Sequence, residues 1–342
     1  MEKIKGIRFK MNLEGQGVVN FDGMVNTFSQ KQLKGFEHID PRNKNYKFAK
    51  KSYTVDEEGK LDYKLKISSA CLRHEMFTNP FGNTPISIRG IKTEWYHYLL
   101  SSNGLLRGYM FTDDSTPTVK RKSPVTICDA IQTNDAKSFM EIGTQSGNIY
   151  SDSEISLHTH EQVGDITYTA EGFINIQELR FISCDLKYDR LAINPDILVN
   201  VNDNKENIAD TVLKNLYGKD AKYDIGLFYY NEFAKASELE LGILLGDEIT
   251  INLVKDALMR MFDVYIKRSG SFAKVKNIEI QLVSDVLDTS NEWLELNSHS
   301  DIANLNFEVD NAYKLSDKTY LDTVQEQKEL FKEFKKVKKE KE

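Results

Sequence analysis

Two neighbouring serines, Ser68 and Ser69, stand between a run that alternates like a strand and a run that ends before Pro80. The first turn of a helix exposes unpaired backbone N–H groups and partial positive charge, so it can bind a phosphate. Lys66 and Arg73 add positive charge at this position. The spacing therefore predicts a phosphate contact, and the alternative is a serine cap without further function.

Residues 29–51 form the densest basic and aromatic stretch before the C-terminal tail. Its cations and rings are Lys31, Lys34, Phe36, Arg42, Lys44, Tyr46, Lys47, Phe48, Lys50 and Lys51. Cationic groups pair with phosphates and rings stack on unpaired bases, which is the combination that single-stranded nucleic acids require. A third basic cluster follows at Lys120, Arg121 and Lys122. Three such clusters in one third of the chain favour polyanion binding over a solvated charged loop.

The charge along the chain is segregated. The formal net charge is −7, yet residues 1–130 hold 21 Lys and Arg against 14 Asp and Glu. Residues 131–312 hold 15 against 31, and residues 313–342 hold 9 against 7. Because phosphates respond to the potential within about 8 Å at physiological salt, the basic first third can bind a polyanion although the whole molecule is acidic.

Other residue types give weaker signals. His158 and His160 would share one side of a strand, but no Cys or third His lies nearby in sequence to complete a tetrahedral metal site. The sequence contains no GxSxG, HExxH, P-loop or GxGxxG pattern. We therefore expect no cofactor and no metal. Asp22 and Asp40 could act as a general base, although turn formation is the commoner role for such residues.

The composition is that of a globular protein, with 40% hydrophobic and 28% charged residues, and excludes disorder and collagen. No run approaches the roughly 18 uncharged apolar residues of a membrane helix, and no signal peptide is recognisable. The cysteines Cys71, Cys128 and Cys184 are too scattered for a disulfide framework. These features predict a cytoplasmic protein without a membrane partner.

Hydrophobic periodicity predicts more strands than helices, without strict alternation between them. Strands are predicted at residues 3–13, Leu61–Ile67, Leu105–Phe111, Pro124–Ala130, Ile166–Phe173, Leu179–Ile182, Leu239–Leu245 and Val275–Val283, among others. Helices are predicted after Ser69 and at Thr93–Ser101, Asp203–Leu216 and Ile249–Lys267. This pattern indicates an α+β fold with helices on one side of a sheet.

The order of the motifs resembles a known family. Val18-Val-Asn-Phe-Asp-Gly precedes a basic segment and then Lys66-Ile-Ser-Ser-Ala-Cys-Leu-Arg-His-Glu-Met. This is similar to the backbone subunit of CRISPR effector complexes, the Cas-seven family of the RAMP superfamily, where an Asn-containing loop precedes a Ser-Ser strand-to-helix element. Ser68, Ser69 and Arg73 match that element, whereas Ala70 replaces its usual Gln and His74 replaces a basic residue. The similarity covers about residues 1–285.

The resemblance implies a modified RRM or ferredoxin-like palm with an inserted basic finger at about residues 29–60 and a thumb hairpin at about 142–172. The segment Leu105–Lys122 is the competing location for the thumb. Residues 1–312 would form one domain and residues 313–342 a charged helical tail. Copies would stack head to tail along a guide RNA (crRNA) in a type I-like Cascade complex, together with other Cascade subunits and a target DNA or RNA.

The resemblance also implies which residues bind RNA, and it implies no catalysis by this chain. The expected RNA contacts are Asn20, Lys31, Lys34, Arg42, Lys44, Lys66, Ser68, Ser69, Arg73, Lys120 and Arg121. Two enzymatic alternatives stay open. The chain could cleave a target RNA through Asp22 or Asp40, or it could process guide RNA through His38 or His74, with Ser269-Gly-Ser as the one trace of a glycine-rich loop.

Overall fold

The computed structural model describes residues 3–22, 46–55, 61–78, 92–113, 116–145, 156–185, 191–198, 208–230, 239–268, 270–285, 291–317 and 329. The strands in this part of the chain are β1 (Lys3–Ile4), β2 (Gly6–Gln16), β3 (Phe21–Asp22), β4 (Tyr46–Ala49), β5 (Lys51–Val55), β6 (Leu61–Ile67), β7 (Tyr109–Asp113), β8 (Thr116–Arg121), β9 (Val125–Ile127), β10 (Ala130–Gln132), β11 (Ser138–Gln145), β12 (Ser156–Val163), β13 (Asp165–Asn175), β14 (Phe181–Ser183), β15 (Tyr223–Tyr230), β16 (Glu240–Leu245), β17 (Tyr265–Arg268), β18 (Ser271–Val283), β19 (Leu294–Leu296), β20 (Glu308–Val309) and β21 (Tyr313–Leu315). The helices are α1 (Ser69–Thr78), α2 (Lys92–Leu100), α3 (Ser102–Arg107), α4 (Ile176–Arg180), α5 (Ile208–Tyr217), α6 (Asp247–Phe262) and α7 (His299–Asn304).

The largest sheet among these residues has nine strands, in the order β17-β18-β2-β13-β10-β6-β5, with β19 beside β18 and β9 beside β13. Its pairings are antiparallel. In the central strand β2, the apolar side chains of Ile7, Phe9, Met11 and Leu13 are buried, while the residues between them are half-buried. The period of two predicted from the sequence is therefore the one that gives this sheet a core face and a polar face.

Strand β2 ends at a glycine with a required conformation. Gly17 has φ of +74°, and a Cβ atom there would lie 2.2 Å from the Ser271 Oγ at the start of β18. Only glycine combines this φ with such a close approach. The chain therefore leaves the sheet at Gly17 and carries Val18, Val19 and Asn20 toward the start of α1.

Helix α6 is the longest helix of the described residues, and Leu253, Ala257, Leu258 and Met261 on it are buried. The sequence predicted a helix to Lys267, but α6 ends at Phe262, and Tyr265–Arg268 pairs with Ser271–Lys274 as strand β17. Gly270, with φ of +73°, lies in the turn between β17 and β18. Strand β17 pairs with β18, and this pairing ends the helix early. Hydrophobic periodicity carries no information about such a pairing.

The prediction of a strand at Leu105–Phe111 is wrong in its first half. Residues Ser102–Arg107 form α3, because the Ser101 hydroxyl accepts a hydrogen bond from the Gly104 N–H at 3.3 Å and caps the helix. Gly108, with φ of +73°, ends it, and β7 then pairs with β8 as a hairpin. The strands predicted at Leu61–Ile67 and Leu239–Leu245 are confirmed within one residue.

Four smaller sheets complete the described architecture. Two have four strands, in the orders β11-β12-β4-β3 and β14-β16-β15-β21, and two are strand pairs, β1-β20 and β7-β8. Strand β21 continues the folded body beyond the domain boundary expected at residue 312, because Tyr313–Leu315 pairs with Phe228–Tyr230. No helix of the described residues is both long and apolar enough to cross a membrane.

Candidate nucleic-acid interface

Helix α1 begins where the sequence predicts, but its N-terminus holds an anion from the same chain. The Ser69 N–H donates to Asp129 Oδ1 at 2.8 Å, and the Lys66 ammonium lies 2.9 Å from Asp129 Oδ2. Partial burial by itself would raise the pKa of Asp129, but the Ser69 hydrogen bond and the Lys66 ammonium outweigh it and lower that pKa. The donors at this helix start therefore bind a carboxylate of the same chain.

Further main-chain bonds bring Asn20 and Lys50 to the same place. The Lys50 N–H donates to the Asn20 carbonyl at 3.0 Å, and the Lys66 N–H donates to the Lys50 carbonyl at 2.9 Å. Ser68 and Ser69 are half-buried, so the serine pair is not sealed within the core. The Ser68 carbonyl accepts the N–H groups of Cys71 and Leu72. The local turn is thus the predicted helix start.

The pKa of the Cys71 thiol depends on the groups around this helix start. Burial raises the pKa of Cys71, a hydrogen bond from Asn20 lowers it, Glu75 raises it, and the cations Arg268 and Lys50 lower it. The Asn20 Oδ1 atom is buried and has no hydrogen-bond partner among the described residues. Buried acceptors without a donor are uncommon in native proteins. We call the set Asn20, Lys50, Lys66, Ser68, Ser69, Asp129 and Arg268 the α1 junction.

Arg73 lies one turn into α1, and its guanidinium donates hydrogen bonds to other segments of the same chain. It donates to the Arg107 carbonyl at 2.7 Å, to the Val125 carbonyl at 2.9 Å and to Ser123 Oγ at 3.2 Å. Burial and then the neighbouring Arg107 lower the pKa of Arg73. Arg73 is half-buried, so it joins α1 to the segments before β7 and around β9 while keeping part of its surface exposed.

Arg121 differs from the sequence expectation because it is only 8% exposed. Its guanidinium donates to the carbonyls of Phe181 at 2.8 Å, Glu178 at 2.7 Å and Leu179 at 2.9 Å. These carbonyls lie at the end of α4, where backbone acceptors have no helical partner. Arg121 therefore stabilises the end of α4 and has no surface to offer a phosphate. Its neighbour Lys120 is half-buried.

Several predicted residues lie outside the described residues. These are Lys31, Lys34, His38, Asp40, Arg42 and Lys44. Asp22 ends β3 in register with Phe48, and His74 is exposed on α1.

The hairpin β11–β12 emerges beside the α1 junction. Gln162 of β12 accepts the Val18 N–H at 2.9 Å and donates to the Ser271 hydroxyl at 3.4 Å. One side chain thus joins the hairpin to the end of β2 and to the start of β18. This places the hairpin base next to the segment that carries Asn20.

A buried ion pair at the hairpin base was not predicted. The Lys51 ammonium lies 2.7 Å from Glu161 Oε1, with the two side chains 8% and 0% exposed. Glu161 also accepts the Ala49 N–H at 3.0 Å and a hydrogen bond from the Ser138 hydroxyl. The sequence indicates this ion pair only through Glu161, an acidic residue at an inward-facing position of an alternating strand. Glu161 directly follows the His158-Thr-His160 segment.

His160 lies beside a carboxylate. His160 Nε2 lies 3.2 Å from Glu141 Oε2, its register partner on β11. Within the described ranges, no group of three or more His, Cys, Asp and Glu residues is placed to hold a metal ion.

Two lysines on the polar face of the largest sheet lie next to carboxylates. Lys10 of β2 lies in register between Glu171 of β13 and Glu279 of β18. The Lys274 ammonium lies 3.1 Å from Glu14 Oε1.

Comparison with known proteins identifies a family whose model matches this chain. A family model described as "Type I-Fv CRISPR-associated protein Cas7fv-like" matches residues 3–313. No curated protein matches the sequence. The solved "CRISPR RNA-guided surveillance complex" contains a chain similar to this one at 10% identity and a TM-score of 0.33, over 97% of this chain and 84% of that chain.

Two further structures show comparable similarity. "CRISPR RNA-guided surveillance complex, pre-nicking" matches at 7% identity and a TM-score of 0.36, over 84% of both chains. The "Cryo-EM structure of the Type III-B Cmr-beta bound to cognate target RNA" matches at 12% identity and a TM-score of 0.26, over 50% of this chain and 47% of that chain.

Proposed function

The chain belongs to the Cas7fv-like family of type I-Fv CRISPR-associated proteins, and from this premise we propose that it binds guide RNA as the backbone subunit of a Cascade complex. Several copies would line the crRNA, alongside other Cascade subunits, and leave its bases open to a target nucleic acid. Sequence would then be read by base pairing, and the protein would supply contacts to the ribose-phosphate backbone.

The α1 junction carries this proposal. Lys50 and Lys66 come from separate segments and meet at one helix N-terminus, where backbone N–H groups also favour an anion. The charge of Arg268 also acts on Cys71 in the first turn of this helix. A phosphate strand would find positive charge from three segments here. Lys31, Lys34, Arg42, Lys44, Lys120 and the exposed part of Arg73 are proposed as further contacts.

Asp129 has a defined part in this proposal. It is bound by the two groups that a phosphate would use, the Ser69 N–H and the Lys66 ammonium. Its side chain is 31% exposed and that of Lys66 is 28% exposed, so solvent and ligands reach the pair. We infer that Asp129 occupies these donors in the free protein and competes with RNA for the Lys66 ammonium.

The sheet order supports an RRM-like palm. The elements β2, α1, β10, β13, α6 and β18 occur in this order in the chain, with other strands and helices between them, and their strands lie in the order β18-β2-β13-β10. Numbered in chain order, these four strands lie as 4-1-3-2. With α1 and α6 as the crossover helices of the two halves, this matches the ferredoxin-like arrangement that the resemblance implied. The hairpin β11–β12, close to the expected residues 142–172, is our proposed thumb.

No catalysis is required of a backbone subunit. The proposal therefore expects bound RNA to remain intact. Incubation of the complex with a matching labelled RNA tests this, and cleavage that is lost in Asp22→Ala would favour the target-cleaving alternative instead.

The first experiment is expression of the full chain together with a CRISPR array, followed by extraction of the nucleic acid that copurifies. Short RNAs with the array sequence are the expected result. A preparation free of nucleic acid, or one with RNAs of random sequence, would contradict the proposal.

A second experiment addresses the α1 junction. Lys50→Gln and Arg268→Gln should each weaken crRNA binding and reduce the slope of log affinity against log salt by about one unit. Lys122→Gln, which removes an exposed cation from the same basic third, is the matched control and should have less effect. Equal losses for all three variants would mean that the junction has no special role.

A further inference from the structure

A local basic surface lies within the acidic middle of the chain. Residues 265–276 contain four Lys and Arg and no Asp or Glu. Strand β17 and the first residues of β18 pair here as a hairpin at one edge of the largest sheet. The four cations are exposed, and they are Lys267, Arg268, Lys274 and Lys276. The acidic balance over residues 131–312 therefore conceals a local positive potential.

The register of this hairpin places two aromatic rings among the cations. Tyr265 pairs with Lys274, and Lys267 pairs with Phe272. Paired residues lie on the same side of a sheet, so these four side chains share one face. Ile266 points to the opposite face and is 1% exposed. We call the set Tyr265, Lys267, Phe272 and Lys274 the basic hairpin face.

The two rings of this face form a surface on which a flat ligand can stack. Their centroids are 6.4 Å apart and their planes are inclined at 48°, a geometry that favours aromatic contact. Tyr265 is 49% exposed and Phe272 is half-buried. Because every nucleobase has a π face, exposed rings beside cations suit single-stranded nucleic acid of any sequence.

A carboxylate also contacts this face. The Lys274 ammonium lies 3.1 Å from Glu14 Oε1, with side chains 51% and 42% exposed. An ion pair with this exposure is weak and is screened by salt. A phosphate can therefore take the place of Glu14 beside Lys274.

The basic hairpin face is continuous with the α1 junction around the edge of the sheet. Successive side chains of a strand point to opposite faces, so Arg268 lies on the side opposite to Lys267. The charge of Arg268 acts on Cys71 in the first turn of α1. Because β17 is an edge strand, a chain of phosphates that leaves the α1 junction at Arg268 meets Lys267 and Tyr265 next.

Another exposed aromatic residue lies against the same sheet face in acidic surroundings. Trp293 is 39% exposed, and the Lys10 ammonium lies 4.4 Å from the centre of its ring. Lys10 is in register between Glu171 and Glu279, and Glu295 lies opposite Glu279. Since carboxylates repel phosphates, the Trp293 ring is a poor site for RNA although it is as large a stacking surface.

We propose that the basic hairpin face binds single-stranded RNA, with an unpaired base stacked on Tyr265 and phosphates beside Lys267 and Lys274. The inference rests on the proposed function, and it adds a base contact to the backbone contacts of the α1 junction. Rings and lysines on one face recognise RNA by stacking and charge together. The hairpin thus holds the strand where it leaves the α1 junction.

Photo-cross-linking tests the position of the base. The full chain is bound to RNA of the array sequence in which 5-iodouridine replaces uridine, because this base cross-links on irradiation to an aromatic side chain that stacks on it. Mass spectrometry of the digested complex should place a cross-link on Tyr265 or Phe272.

Two variants of Tyr265 separate stacking from charge. Tyr265→Leu should lower RNA affinity about tenfold, whereas Tyr265→Phe, which keeps the ring, should stay within about twofold of wild type. Neither should change the slope of log affinity against log salt, while Lys267→Gln should lower that slope by about one unit. Trp293→Leu is the matched control and should change affinity less than about twofold. Urea denaturation checks that each variant is folded.

The outcomes distinguish this inference from the proposed function. A wild-type chain that binds no array RNA would overturn both. Wild-type binding that Tyr265→Leu leaves unchanged would overturn this inference alone, as would equal losses in Tyr265→Leu and Trp293→Leu or in the two Tyr265 variants. Cross-links confined to other segments would also overturn it, and the exposed rings would then be assigned to a protein partner.

Discussion

Two lysine–carboxylate ion pairs have nearly equal N–O distances but differ in how deeply their side chains are buried. The Lys51–Glu161 pair at the hairpin base spans 2.7 Å with side chains 8% and 0% exposed. The Lys66–Asp129 pair at the α1 junction spans 2.9 Å with side chains 28% and 31% exposed. A solvent-exposed pair contributes about 0–1 kcal/mol and can exchange partners, whereas breaking a buried pair leaves an uncompensated charge.

The comparison assigns the two sites different roles. The hairpin base holds a fixed structure, because Glu161 also accepts a backbone N–H and a serine hydroxyl within the core. The Lys66–Asp129 pair is partly exposed, which is the setting that the proposed RNA contact requires. The N–O distances of the two pairs are nearly equal, so burial is what distinguishes them.

The largest expected effect is on the buried pair. Glu161→Gln removes the carboxylate that lies 2.7 Å from the buried Lys51 ammonium, and we expect a loss of about 3–5 kcal/mol in the free energy of unfolding. Urea denaturation followed by circular dichroism measures it. Glu141→Gln removes a half-exposed carboxylate from the same hairpin and should cost less than about 1 kcal/mol. Similar losses for both variants would mean that the burial of the Lys51–Glu161 pair has no effect on stability.

Arg121 extends the comparison to a buried cation whose guanidinium binds backbone carbonyls. Arg121→Met leaves the carbonyls at the end of α4 without donors, so the free energy of unfolding should fall by about 3 kcal/mol. Its exposed neighbour gives the control, since Lys122→Met should change stability by less than about 0.5 kcal/mol. An Arg121→Met protein of full stability that binds RNA more weakly would restore Arg121 as an RNA contact.

Asp129→Asn sharpens the comparison in the opposite direction. Removing the internal anion frees Lys66, so crRNA affinity should rise about fivefold and depend more steeply on salt. Fluorescence anisotropy at several salt concentrations measures both. Asp135→Asn removes the same charge from an exposed turn and serves as control. A decrease in affinity for Asp129→Asn would show that the carboxylate positions the site rather than competing for it.

The smallest expected effect is a pH dependence. Because the pKa of Asp129 is lowered in the folded protein, its contribution to stability is complete above the unfolded pKa of about 4. That contribution is lost as pH falls through the lower folded pKa. Wild type should therefore lose about 1 kcal/mol or less relative to Asp129→Asn between pH 5 and pH 3, as measured by urea denaturation. Parallel profiles would mean that the pair is energetically silent.

The features that the sequence predicted well are local. Strand β6, the serine turn and helix α1 are contiguous, and each depends on residues within one or two turns of the chain. The alternation of β2 and the single apolar face of α6 are local in the same sense. The segregation of charge also needs only the order of the residues. The motif resemblance used these same local signals, and it led to the family that the chain belongs to.

The tertiary structure decided which of these charged groups are available. Asp129 reaches Ser69 across 60 residues, and Glu161 reaches Ala49 across 112. Arg121 is buried because α4, some 57 residues away, needs donors at its end. Whether a cation meets solvent, a carboxylate or a carbonyl depends on strand register and on distant loops. Periodicity records one segment at a time, so the sequence by itself determined the elements and the charges, and packing determined their roles.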